Sequence, residues 1–224
     1  MARLKLGPWG GIVGALGNHV GYIRKGIAVL RMKSHPTNKK RTDKQKATTQ
    51  RFQLIIKFIA SMNNFTNVGF DVAARKVSPT AQNLAVSYNT KNAITGEYPN
   101  QEIDYPKVRV CEGTLPLATG IAVTAEDMGE TVKLAFSWQT ETDLPAASHR
   151  DQIMMLAYLP EIKESVYLDS GARRNEGQDF LMISKNYGAK RYPIVVTYAE
   201  TYIAFVANDR NNISDSLYCG RIEF

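Results

Sequence analysis

The pattern of apolar and polar positions divides the chain into three stretches of different texture. A glycine-rich stretch comes first, and a polar basic loop with helical periodicity follows it. Beyond Gly96, short alternating runs rich in β-branched and aromatic residues are separated by turn residues, which is typical of antiparallel strands. We therefore expect an arm (residues 1–32), a basic linker with a helical region (residues 33–100) and a β-sandwich domain (residues 101–224).

Two helices are predicted between the arm and the strands. Apolar residues recur at spacings of three and four from Phe52 to Met62, which indicates a helix over residues 43–63 with one buried face and Thr42 as its N-cap. The buried face should consist of Phe52, Ile55, Ile56, Ile59 and Met62. A weaker pattern predicts a second helix over residues 79–92, with Ser78 as N-cap and Pro79 at the first helical position.

The C-terminal half predicts an antiparallel sandwich. Strands of this length and spacing, with no helical periodicity between them, favour two packed sheets of the immunoglobulin/fibronectin-like kind. Phe136-Ser137-Trp138 resembles the buried tryptophan strand of such sandwiches. The expected fold class is therefore mainly β with a small α part (α+β). The candidate strands are residues 107–112, 120–124, 131–138, 152–159, 164–168, 178–184, 191–196, 202–208 and 217–223.

Charge is distributed unevenly along the chain. The 224 residues include 28 Lys/Arg and 21 Asp/Glu, a formal net charge of +7. The first 77 residues carry fifteen of the basic residues and only two of the acidic ones. Such a division favours a protein that docks, either head to tail with its own copies or with its basic end on an anionic partner.

The arm is the first candidate contact region. Residues 20–24 and 27–32 predict a hairpin around Lys25-Gly26, and an isolated two-stranded hairpin is only marginally stable. No helix follows the glycines as a phosphate-binding loop requires, so close packing against a neighbouring subunit is the preferred explanation for them. The predicted contact residues are Trp9, Asn18, Tyr22, Arg24 and Arg31.

The basic segment is the second candidate contact region. Its cations could meet the acidic part of an adjacent copy, another acidic partner or a phosphate backbone, or could simply be solvated; binding to phosphates should fall steeply with salt. Phe52, the aromatic residue nearby, is predicted on the buried helix face, so no stacking platform is expected. The predicted anionic-partner residues are Lys39, Lys40, Arg41, Lys44, Lys46 and Arg51.

No residue set predicts catalysis or a metal site. The histidines His19, His35 and His149 are scattered, and none has neighbours that would complete a nucleophile–base pair. Cys111 and Cys219 are expected to be isolated buried thiols, although pairing stays open if their strands are neighbours. The acidic pairs Glu126-Asp127 and Glu141/Asp143 are interpreted as turn formers. We expect no enzyme activity, no cofactor and no bound metal.

The segments that resemble targeting signals do not change this interpretation. Glycines and Pro8 interrupt the apolar run near the N-terminus, which argues against a cleaved signal peptide, and no run approaches the length of a transmembrane helix. We therefore expect synthesis in the cytoplasm, incorporation in a larger particle and no membrane partner.

Several short motifs spread along the chain resemble a functionally uncharacterised family from Bacteroidota and their phages. They are Gly17-Asn-His-Val-Gly21, Tyr22-Ile-Arg-Lys-Gly26, Val29-Leu-Arg31, Thr49-Gln-Arg-Phe52, Phe136-Ser-Trp138 and Ser216-Leu-Tyr-Cys-Gly220. The resemblance implies no activity and favours a bacterial or phage structural role.

The leading hypothesis is a non-enzymatic structural subunit that forms homo-oligomers through its arm. A phage virion component, in a tail, connector or ring, is the expected context. Two alternatives stay open. The first is a sequence-independent nucleic-acid-binding accessory protein that uses residues 33–51, and the second is an extracellular adhesion module that uses sandwich loops.

Overall fold

The computed structural model describes residues 10–24, 26–34, 40–77, 79–140, 150–188 and 194–224, together with the backbone of Arg3–Leu4. The chain separates into two compact units, Met1–Arg41 and Thr42–Phe224. The predicted helical region and the predicted sandwich both fall within the second unit.

The described part of the N-terminal unit holds four antiparallel strands, where the sequence predicted two. The strands, in sheet order, are β1 (Arg3–Leu4), β2 (Ile12–Leu16), β3 (His19–Arg24) and β4 (Ile27–Met32). The predicted hairpin is confirmed as β3 and β4. β2 was not predicted because the segment is rich in glycine, which has a low strand propensity.

Two glycines allow β2 to fold over its own sheet. β2 pairs with β1 at Ile12 and Val13 and with β3 from Gly14 onwards, and Gly14 has a φ of 112° at this change of partner. A Cβ atom on Gly21 would overlap the carbonyl oxygen of Ile12. The close approach at Gly21 is therefore between strands of one arm, and packing of the glycines against a neighbouring subunit stays a prediction.

Four helices open the described part of the second unit: α1 (Asp43–Ser61), α2 (Asn63–Gly69), α3 (Asp71–Arg75) and α4 (Ala81–Asn92). The predicted N-cap of α1 is confirmed, because the Gln45 N–H donates to Thr42 Oγ1 and the Thr42 N–H donates to Gln45 Oε1. α4 begins at Ala81 with Thr80 as its N-cap, two residues later than predicted. The Thr80 hydroxyl accepts from the N–H of Asn83, the third helical residue, and the predicted cap Ser78 lies outside the described residues.

The buried face of α1 differs from the predicted one. Ile55, Ile59 and Met62 are buried as expected, but Phe58 joins them while Phe52 and Ile56 are exposed. Both sets keep helical spacing, so periodicity alone does not distinguish them. Packing against the sheet decides, since the Phe58 ring meets Tyr158 edge-on at a centroid distance of 4.7 Å.

The strands of the second unit form a sandwich and two small strand pairs. The predicted boundaries of β9, β10, β11 and β15 are confirmed, and β7, β8 and β14 overlap their predictions. The strands are β5 (Ile94–Thr95), β6 (Glu102–Ile103), β7 (Ala122–Asp127), β8 (Thr131–Ser137), β9 (Gln152–Leu159), β10 (Glu164–Leu168), β11 (Gln178–Ser184), β12 (Asn186–Tyr187), β13 (Ile194–Val195), β14 (Tyr198–Val206) and β15 (Leu217–Glu223).

The strand predicted over residues 107–112 is wrong. A 3-10 turn occupies Tyr105–Lys107, and the residues after it make no strand ladder. Side chains bond this backbone instead: the Arg109 N–H donates to Asn89 Oδ1, and the Val110 N–H donates to Ser216 Oγ. Within the predicted strand 191–196, Ile194 and Val195 form strand β13, and residues 191–193 lie outside the described residues.

The sandwich consists of a four-stranded sheet, β10-β9-β14-β15, and a three-stranded sheet, β11-β8-β7. Alternate residues of β9 face opposite sides of the four-stranded sheet. Ile153, Met155 and Ala157 pack in the core between the sheets, whereas Met154, Leu156 and Tyr158 pack with the helices. This burial on both faces explains why β9 is apolar along its whole length.

The predicted fold class is confirmed: the fold is mainly β with a small α part, and its sheets are antiparallel. Trp138, which follows β8, is buried as predicted. Its indole N–H donates to the Arg174 carbonyl at 2.7 Å, and its ring meets Phe205 edge-on. Cys111 and Cys219 are both free thiols, and Cys111 is buried.

Candidate functional site

The register of β2, β3 and β4 assigns the described side chains of the arm to two faces. Gly14, Gly21 and Leu30 lie across from one another, as do Leu16, His19 and Met32. Because strand residues alternate between faces, each strand contributes to both. We call one the apolar face; it carries Leu16, His19, Ile23, Leu30 and Met32. The other, the mixed face, carries Val20, Tyr22, Arg24, Ile27, Val29 and Arg31.

Three of the predicted contact residues share the mixed face. Tyr22 is opposite Val29, Arg24 is opposite Ile27, and Arg31 is opposite Val20. All three predicted residues are exposed. Asn18 lies apart from them, in the exposed turn between β2 and β3, where its carbonyl accepts from the Lys33 N–H. Trp9 lies outside the described residues, and the contact role of all five stays a prediction.

The apolar face is the part of the site that sequence reasoning missed. Leu16, Ile23, Leu30 and Met32 are 47–63% exposed, although all four are large apolar side chains. His19 is the one polar side chain assigned to this face by the described register. The alternation of residues did not predict this face, because Val20, Ile27 and Val29 make the other face partly apolar too and remove the usual contrast between strand faces.

The N-terminal unit also carries charge of one sign. Met1–Arg41 contains nine Lys/Arg and no Asp or Glu, whereas Thr42–Phe224 contains nineteen Lys/Arg and twenty-one Asp/Glu. The formal charges are therefore +9 and −2. A surface that is both apolar and free of carboxylates suits a partner that offers apolar contact within an acidic field.

The basic segment does not form one continuous stripe in its described part. Lys44, Lys46 and Arg51 are exposed on α1, where Lys44 and Arg51 are seven residues apart on one side and Lys46 points elsewhere. Asp43 accepts from the Lys46 ammonium at 2.9 Å and raises the pKa of Lys46. Lys40 and Arg41 are exposed in the N-terminal unit, and Lys39 lies outside the described residues.

The position of Phe52 in the basic segment differs from the predicted one. The sequence predicted it on the buried face of α1, but its ring is 49% exposed and lies next in sequence to Arg51. Ile56, one turn further along, is exposed as well. An aromatic surface is therefore present among the cations of α1, contrary to the prediction.

Buried polar groups of the sandwich serve its packing. The carboxylate of Glu200 accepts from the Tyr218 hydroxyl at 2.6 Å and from Arg221 Nε at 2.9 Å. Glu126 and Asp127, interpreted from the sequence as turn formers, are instead the last residues of strand β7, where they pair with Lys133 and Lys185. Hydrogen bonds from Lys185 and from the Gly129 N–H lower the pKa of Asp127. Glu141 and Asp143 lie outside the described residues.

Neither a nucleophile–base pair nor a metal cluster emerges from the part of the chain that the structure describes. His19 is exposed on the arm, and His35 and His149 lie outside the described residues. No three His, Cys, Asp or Glu side chains among the described residues could hold a metal ion together.

An apolar cleft of about 420 Å³ lies between α2, α3 and the end of β14. It is lined by Val68, Val72, Val206 and Ile213, with Asp71, Asp169 and Arg210 near them.

Within the described residues, the helices are too short or too polar to cross a membrane.

One comparison with known proteins gives a match. A family model described as "Family of unknown function (DUF6266)" matches residues 11–220. Neither the search of curated proteins nor the search of solved structures found a match.

Proposed function

The chain belongs to the DUF6266 family, whose function is unknown, and we propose that it is a non-enzymatic structural subunit that self-associates through its N-terminal arm. The supporting observation is the apolar face, where four large side chains are about half exposed on a sheet whose other face is also partly apolar. Soluble proteins rarely expose an apolar patch of this kind unless it binds another molecule.

The energetics favour a bound state for this face. Burying a large apolar side chain stabilises by roughly 1.5–3 kcal/mol, so covering the exposed half of each of these side chains contributes about 1 kcal/mol. Among the described residues, the start of β2 covers part of this face at Gly21, and Leu16, Ile23, Leu30 and Met32 remain about half exposed. Association with another molecule supplies the missing cover.

The partner we propose is another copy of the chain, bound head to tail. Two arms repel one another, because each N-terminal unit has a formal charge of +9, whereas the rest of the chain is slightly acidic. Unlike surfaces that bind each other in this way generate rings or open filaments. A phage virion component, in a tail, connector or ring, is the context that we propose on the basis of the resemblance in sequence.

The test is a full-length double variant that makes the apolar face charged, Leu30→Glu with Met32→Glu. We expect wild-type protein to form a defined multimer in size-exclusion chromatography with light scattering, and the variant to elute as a monomer. Val77→Glu is the control, since Val77 is also about half exposed but lies in the second unit. A variant that assembles like wild type, with an unchanged circular dichroism spectrum, would contradict the proposal.

The exposure of Phe52 supports a second candidate, a sequence-independent nucleic-acid-binding accessory protein. A base can stack on an exposed aromatic ring, and neighbouring cations hold the phosphates. In this case labelled random single strands bind at physiological salt, and Phe52→Ala and Arg51→Ala each weaken binding. Absence of binding under those conditions, measured by fluorescence anisotropy, would exclude this candidate.

A further inference from the structure

We propose that the arm docks on the outer face of the three-stranded sheet of a neighbouring copy. This inference rests on the proposed function and names the surface that receives the arm. By the register of β7, β8 and β11, this outer face carries Phe180 and Met182 on β11, Ala135 and Lys133 on β8, and Thr124 and Glu126 on β7.

The outer face carries two large apolar side chains, Phe180 and Met182, among polar residues, whereas sandwich strands normally present polar residues to solvent. Phe180 and Met182 are 50% and 43% exposed, and they stand two residues apart on the same strand. Phe180 is opposite the small side chain of Ala135, and the Lys133 ammonium lies 5.3 Å from the centre of the Phe180 ring.

Additional apolar side chains are exposed beside one end of this face. Met128 lies in the turn between β7 and β8, and Ile194 and Val195 form β13; all three are exposed. Two backbone hydrogen bonds link these segments to the end of β11, because the Lys185 N–H donates to the Glu130 carbonyl and the Val196 N–H donates to the Lys185 carbonyl. Exposed apolar side chains are therefore also present beyond the end of β11.

The charge around the outer face complements that of the arm. Glu126, Asp127 and Glu130 are exposed at the end that holds Met128. The nearby cations, Lys133 and Lys185, are less exposed and pair with Glu126 and Asp127. Among the described residues, three carboxylates stand against two paired lysines at this end, and the arm, whose Arg24 and Arg31 lie on its mixed face, contains no carboxylate.

The two surfaces also match in form. Each is a face of a short antiparallel sheet, and sheets pack face to face at about 10 Å when their side chains interdigitate. The arm offers Leu16, Ile23, Leu30 and Met32, and the receiving face offers Phe180 and Met182. Because the two surfaces are different, every copy can give its arm to one neighbour and receive the arm of another.

A mixing experiment with two full-length variants tests this arrangement. The arm variant is Leu30→Glu with Met32→Glu, and the face variant is Phe180→Lys with Met182→Lys. Each variant keeps one surface intact, so we expect each to be monomeric alone and an equimolar mixture to form a 1:1 heterodimer that cannot grow. Mass photometry or analytical ultracentrifugation measures the masses.

Val77→Lys is the control, since the exposure of Val77, 47%, lies between those of Phe180 and Met182, but Val77 lies between α3 and α4. It should assemble like wild type. Phe180→Ala supplies a milder variant, for which we expect at least a tenfold weaker association with an unchanged melting temperature.

The outcomes separate the two claims. If the arm variant is monomeric while both the face variant and Phe180→Ala assemble like wild type, the arm binds elsewhere and this inference is wrong. If both variants are monomeric but their mixture stays monomeric, the head-to-tail pairing is wrong. If the arm variant itself assembles, the proposed function fails first.

Discussion

Thr42 shows how much a single residue can reveal from sequence. Its position before a polar-to-apolar transition predicted an N-cap, and the structure adds the reciprocal bond from Gln45 that completes a capping box. Phe52 shows the limit, because helical spacing fits both the predicted and the observed buried face of α1. Only the position of the sheet selects Phe58 in its place.

Replacing Thr42 by alanine should destabilise the second unit by about 1 kcal/mol, because an N–H at the start of α1 loses its acceptor. Urea denaturation followed by circular dichroism measures the change. Thr48→Ala is the control, since the Thr48 hydroxyl bonds a carbonyl within the helix and caps nothing. Equal effects of the two substitutions would show that the capping box contributes no stability.

The tyrosines between the helices and the four-stranded sheet predict loss of stability at alkaline pH. Burial raises the pKa of Tyr158 to about 12, and it also raises the pKa of Tyr105, Tyr202 and Tyr218. In the unfolded chain these groups lose protons near pH 10. The unfolded state then binds fewer protons than the folded state, so the free energy of unfolding falls as pH rises.

For Tyr158 this loss spans about pH 10 to pH 12. Urea denaturation at pH 8, 9, 10 and 11 should show a constant free energy of unfolding followed by a decline, and Tyr158→Phe should make the decline shallower. A free energy that stays constant to pH 11 would contradict the burial of these hydroxyls.

At the scale of elements, period-two alternation located the sandwich strands well. The boundaries of β9, β10, β11 and β15 could be predicted because turn residues flank each of them. The strand predicted over residues 107–112 is wrong because the backbone there bonds the side chains of Asn89 and Ser216, which lie far away in the sequence. No local pattern reports such long-range partners.

The β2 strand was missed for a different reason, and it supports a prediction of its own. Gly21→Ala places a methyl group where the Ile12 carbonyl lies, so β2 should separate from β3. We expect faster amide hydrogen exchange in β2 and weaker self-association. Gly17→Asn is the control, because Gly17 has a φ of 55° that asparagine tolerates and open space around it. Unchanged exchange in Gly21→Ala would show that β2 does not require the close approach.

At the scale of the whole molecule, the uneven charge was visible in sequence, but the apolar face was not. The charge follows from counting, and it needs no structure. The apolar face needs the pairing of β2, β3 and β4, because only the register shows that Leu16, Ile23, Leu30 and Met32 lie on one side. Together the two features support an arm that binds an acidic, partly apolar surface of a neighbour.

The mass of the wild-type chain in solution tests the central claim most directly. One chain has a mass of 25.0 kDa. Sedimentation at increasing protein concentration should reveal species of several chains, and added salt should slow their formation, because the charges that steer encounter are screened. A single species of 25.0 kDa at every concentration would contradict self-association through the arm.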